Sequence, residues 1–210
     1  MNSMAICCVF VLATLFIGAG HCRAKTMRQL WLSMPQSVLP YLDDNMRVQC
    51  ADFYDMHSGA STDNQLGGKT RIDTLTAEFL SATLTDASAM QMRLLPVAGS
   101  SDSLLCVVRS WAGPERESEV RMYNQNWQPV GESITFSLSQ FVSRPDTMPE
   151  ARFGYLLSCL DPVMYSATLS AADQSLCVDV CTVVANPEDR EALKAILVQR
   201  KFNWNGISFK

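Results

Sequence analysis

GGKTRIDTLTAEFLSATLTDASAMQMRLLPVAGSSDSLLCVVRSWAGPERESEVRMYNQNWQPV, from Gly67 to Val130, is the stretch that decides the fold. Within it Met90, Met92 and Leu94 alternate with Gln91 and Arg93, the period of a strand with one buried face. Leu104 to Trp111 (LLCVVRSW) is apolar at five successive positions, which predicts a strand covered on both faces. Strands are also expected over about 69–76, 79–85 and 119–127. Asp86-Ala87-Ser88, the loop 99–103 and Gly113-Pro114 separate them. Short connections of this kind make an antiparallel five-stranded meander the economical topology.

Two helices precede the meander. Thr26 can cap the first, where Met27, Leu30, Trp31 and Met34 form one apolar stripe ended by Pro35. Asp43 or Asp44 can cap the second, with Met46, Cys50, Phe53 and Tyr54 as its buried side. Both stripes need a partner, and the sheet is the large candidate. After the meander, residues 131–149 form the natural boundary, although Ile134, Phe136 and Leu138 alternate like one more strand. A third helix from Pro149 carries Phe153, Leu156, Leu157 and Leu160, and Asp161-Pro162 stops it. A hairpin follows, Tyr165–Leu169 against Leu176–Val184. Asn186-Pro187-Glu188-Asp189 then opens a fourth helix with Leu193, Ile196 and Leu197 buried. A final strand covers about 202–209 and bends at Asn205-Gly206. The expected fold is α+β: helices packed on a mainly antiparallel β-sheet, a five-stranded meander plus a C-terminal hairpin–helix–strand unit.

The first residues speak to compartment. Cys7 to Gly18 is an apolar run suited to a signal-peptide core and shorter than the about 20 residues of a membrane span. Residues 1–24 are read as a signal peptide, cleaved after Ala24 or alternatively after Gly20. A retained membrane anchor is the competing reading, since the segment before the run lacks Lys and Arg. His21 before Cys22 does not suit a lipidation box, which wants a small residue there. Residues 25–210 then form one α+β domain, or alternatively two lobes over 25–130 and 149–210. The expected location is the periplasm or the outer membrane, with no stable membrane span after cleavage.

The chain has a formal net charge of −4 and 48% apolar residues, so it can bury a core and carries no basic run for nucleic acid. Cys50, Cys106, Cys159, Cys177 and Cys181 would remain after cleavage, an odd set at irregular spacing that outlines neither a disulfide framework nor a zinc knuckle. Cys177 and Cys181, about 13 Å apart along an intact strand, cannot bond to each other.

TMRQLWLSMPQSVLPYL, LGGKTRIDTLT, RLLPV, LLCVVRSWAGPERESEVRMYNQNWQPV and SATLSAADQSLCVDV leading to FNWNG together resemble a Bacteroidales family of secreted proteins of unknown function (domain of unknown function 3256). The likeness spans essentially the whole mature chain. It implies export and a stand-alone small domain, and it implies no activity and no catalytic residues.

Candidate chemistry is sparse. Asp55-Met56-His57-Ser58 places an acid, a base and a hydroxyl close in sequence, but neighbours at a helix end diverge rather than converge. The plain reading of His57 is a helix-terminal histidine near the negative end of the dipole. No catalytic, cofactor-binding or metal-binding residue is assigned, and no cofactor is expected. Asp63-Asn64 lacks the alternating acids of a calcium loop, and Gly67-Gly68 reads as a turn rather than a phosphate cradle. The candidate interaction surface is Trp111, Glu115, Arg116, Trp127 and Trp204, aromatic and charged residues at strand ends and a hairpin tip. The favoured function is a non-catalytic cell-envelope module binding a protein, lipid or glycan. The alternative is an envelope hydrolase without a recognisable motif. Thiol redox chemistry is a third reading and requires an exposed, acidic cysteine.

Overall fold

The computed structural model describes residues 25–184 and 186–210; the expected signal peptide lies outside the described residues. Helix α1 (Met27–Leu32) begins on a capping box: Thr26 Oγ1 accepts from Gln29 N, and Gln29 Oε1 accepts from Thr26 N. Helix α2 (Asp44–Asp55) is capped by Asp43, whose carboxylate accepts from Met46 N at 2.9 Å. The expected α1 stripe of Met27, Leu30, Trp31 and Met34 is fully buried. On α2 the buried residues are Arg47, Cys50 and Ala51, while Met46 and Tyr54 pack half-exposed at the margin.

The meander is present, with one small addition. Strands β2 (Lys69–Leu75), β3 (Phe79–Thr85), β4 (Ser88–Pro96), β5 (Ser103–Ala112) and β6 (Arg116–Tyr123) pair antiparallel in chain order. A two-residue strand β1 (Thr62–Asp63) adds to β2, making six. β4 and β5 pair without a break from Ser88↔Trp111 to Pro96↔Ser103. Side chains therefore alternate strictly between the two faces along this hairpin.

Both faces are covered, as the apolar run in β5 requires. Leu105 and Val107 point to a core shared with Trp31, Leu80, Met90 and Met92 beneath α1 and α2. Cys106 and Val108 point the other way, to a core closed by a second sheet of three strands, β7 (Met164–Leu169), β8 (Ser175–Cys181) and β9 (Arg200–Asn203). A third cluster joins α3 (Glu150–Ser158) to α4 (Pro187–Lys194) through Leu156, Leu160, Leu193 and Ile196. No helix among the described residues is long and apolar enough to cross a membrane.

Two sequence expectations are corrected here. The Ile134–Leu138 alternation does not extend the sheet. Ile134 makes a single bridge to Val120, and Leu138–Gln140 is a short 3-10 turn that buries Phe141. β4 is also not half-exposed: the face carrying Gln91 and Arg93 lies under the edge of β7. Gln91 Oε1 accepts from Leu169 N at 2.9 Å, Arg93 Nη1 donates to Ser170 O at 2.8 Å, and Ser118 Oγ accepts from Ala167 N at 3.0 Å. Polar side chains occupy a buried face there because they meet the unpaired backbone of an edge strand, which apolar side chains would leave unsatisfied.

Candidate functional site

The first two helices cover β2–β4 and the start of β5, and leave one quadrant of that face open. Alternation along β5 and β6 puts Arg109, Trp111, Glu117, Glu119 and Arg121 in this quadrant, through the cross-strand pairs Trp111↔Glu117, Arg109↔Glu119 and Val107↔Arg121. Trp111 is 39% exposed. The Arg109 guanidinium lies 5.1 Å from its ring centroid, a cation–π stack that orients both groups. Arg109 Nε is buried and has no hydrogen-bond partner among the described residues. Its cross-strand neighbour Glu119 instead accepts from Arg121 Nε at 2.7 Å and from Ser133 Oγ at 3.2 Å. Beside the stack, Ser37 and Val38 of the α1–α2 link, Arg109, Glu119, Arg121 and Trp127 enclose a cleft of about 350 Å³.

The expected interaction residues fall in separate places. Trp111 occupies the open quadrant. Arg116 lies on the opposite face of the hairpin, donating from Nη2 to Ser110 Oγ at 3.2 Å, and Glu115 stays exposed in the turn, its carbonyl accepting from Gly113 N. Trp127 is only 5% exposed. The Asn124–Gln128 turn, held by Asn124 Oδ1 accepting from Asn126 N and Gln128 N, carries Trp127 under α1, where its Nε1 donates to Leu30 O at 3.1 Å. It contributes a wall to the cleft rather than a rim. Trp204 stands at the far end of the β4–β5 hairpin from Trp111. Its Nε1 donates to Pro96 O at 2.6 Å, and its ring meets Phe209 edge-on at 5.3 Å.

The Asp55–His57–Ser58 group does not converge. Asp55 accepts from Arg28 Nη2 at 2.8 Å, Ser58 Oγ donates to Phe53 O at 3.1 Å, and His57 is exposed at the helix end with φ 50°. All five cysteines among the described residues are free thiols. Burial pushes Cys106 up to about 12 and raises Cys50 and Cys181 as well, which disfavours thiolate. No group of three His, Cys, Asp or Glu among the described residues is placed to hold a metal.

Buried charge is where reading the sequence fell short. Arg47 is 1% exposed, bonded to Leu42 O and paired with Asp44. Asp189 is buried between α3 and α4, where Tyr155 Oη and Arg152 Nη2 each donate to it at 2.9 Å. Those bonds, Tyr155 first, hold its carboxyl below the ordinary range. For Arg93 a signal existed. A neighbouring strand apolar on both faces requires cover on both, so the polar face of β4 had to be covered as well.

A family model described as protein of unknown function (DUF3256) matches residues 19–209. No curated protein matches. Among solved structures, the chain is similar to a domain of an uncharacterised protein from Porphyromonas gingivalis W83, at a TM-score of 0.67 and 20% identity over 89% of this chain and 98% of that one. That likeness concerns the fold. The chain belongs to the DUF3256 family of proteins of unknown function.

Proposed function

We propose that the protein is an exported module, in the periplasm or at the outer membrane, that binds a protein partner of the cell envelope through the open quadrant of its six-stranded sheet. The observation that carries this reading is Trp111, exposed on a rigid strand with Arg109 stacked against it. Trp and Arg at the centre of a patch are the side chains that dominate protein–protein binding energy. Arg109 adds a guanidinium whose Nε has no hydrogen-bond partner among the described residues, and Glu117 with the Arg121–Glu119 pair supplies a charged rim. The quadrant is built on paired strands, so little ordering is required on binding. The apolar run at residues 7–18 supports export.

The test is site-specific photo-crosslinking in the native host from a probe at Glu117, with and without Trp111→Ala. A discrete crosslinked species that disappears with Trp111→Ala is expected. A probe at Glu150 on α3 should give none. Adducts only to lipid or polysaccharide, or an adduct indifferent to Trp111, would contradict the reading.

A further inference from the structure

A second cleft opens where the two sheets meet, at the far end of the molecule from Trp111. It is about 470 Å³ and is lined by Glu78, Arg93, the Ala172–Gln174 turn, Asn203 and Trp204. Four segments bring these groups together, with Glu78 supplied by the β2–β3 turn. Arg93 comes from the buried face of β4, Gln174 from the β7–β8 turn, and Asn203 and Trp204 from the end of β9. The turn is fixed to the strand end by Trp204 N donating to Gln174 O at 2.9 Å.

The charges in and around the cleft balance. Asp173 is held by Lys201 at 2.8 Å and by Ser175, and these bonds keep its carboxyl well below the usual carboxylate range. Arg93 is 5% exposed and spends Nη1 on Ser170 O. Its Nη2 stops 4.0 Å from Glu78 Oε2, a contact too long for a hydrogen bond. A buried guanidinium with an unfinished bond beside an exposed carboxylate presents a donor and an acceptor to one small group. A hydroxyl can accept from the first and donate to the second; a carboxylate ligand would be repelled by Glu78. Asn203 and Gln174 add amides, each both donor and acceptor, and Trp204 adds an aromatic surface.

We propose that this cleft binds a neutral pyranose, such as a hexose unit of a polysaccharide. Trp204 meets the C–H face of the ring, and a ring hydroxyl bridges Arg93 and Glu78. The site is independent of the partner surface at Trp111.

Saturation-transfer NMR on the mature protein tests it, using the methyl glycosides of glucose, galactose, mannose and N-acetylglucosamine, with glucuronate as the charged control. At least one neutral glycoside should receive transfer, strongest on its C–H face protons. Glu78→Ala, which removes an exposed side chain, should weaken binding at least tenfold while the far-UV circular dichroism spectrum stays that of the folded protein. Trp204→Ala should abolish it and Trp204→Phe restore part of it. Trp111→Ala should change nothing, so failure here is distinct from failure of the partner reading. No transfer to any neutral glycoside, tighter binding of glucuronate, or binding indifferent to Glu78→Ala would overturn the proposal.

Discussion

Gly206 sits at φ 92°, and its carbonyl accepts from Ala98 N at 2.9 Å. A Cβ there would lie 2.7 Å from Ala98 Cβ and 3.0 Å from Ala98 N, so steric contact and backbone strain act together. Gly206→Ala is predicted to cost about 1–3 kcal/mol, measured by denaturant unfolding. An unchanged midpoint would mean that the C-terminal turn does not dock on the β4–β5 loop. The bend at Asn205-Gly206 was legible in the sequence. Its partner was not, because local turn chemistry carries no record of a contact so distant in the chain. The thiols give a second test at this scale. Cys106 should stay unmodified by a thiol reagent at pH 8 while the protein is native, and rapid labelling would show that β5 opens.

Helix starts were the most legible elements, because Thr26, Asp43 and Asn186 each satisfy a first-turn amide that the sequence alone could assign. The α3–α4 contact was only half legible. Its apolar stripe shows in the periodicity, but the buried Asp189 looks like any first-turn acid. Its lowered carboxyl pKa sets a direction. The unfolded chain binds the proton more readily, so this carboxylate supports the fold above the ordinary value of about 3.9, and the support is withdrawn as pH falls through the folded-state value. Tyr155→Phe removes the main cause, and its acid-unfolding midpoint, followed by circular dichroism, should lie at higher pH than that of the native protein. Identical midpoints would contradict the role of the hydroxyl. At the β1–β2 turn, Asn64 donates to Thr70 Oγ1 and Leu84 O and accepts from Leu66 N and Gly68 N. Asn64→Ala strands several of these groups and should cost on the order of 2–3 kcal/mol.

Across the whole molecule, the second sheet packs the edge of β7 onto the polar side chains of the first, so the face and the edge stabilise each other. This relation was invisible to periodicity, which assigns Gln91 and Arg93 to solvent. Gln91→Leu combined with Ser118→Val should speed amide exchange at Ala167 and Leu169 while leaving β5 protected; equal protection at all sites would show that the edge bonds are dispensable. The same arrangement decides where function can sit. With β4–β6 covered on one face by the second sheet and most of the other face covered by α1 and α2, the open quadrant beside the helices carries Trp111, whereas Trp31 and Trp127 are buried. Hydroxyl-radical footprinting of these three tryptophans tests the central claim most directly. In the purified protein Trp111 should be oxidised readily and the other two spared. In the intact envelope Trp111 should be protected as well, and oxidation of Trp111 at the same rate in both preparations would contradict a partner at this surface.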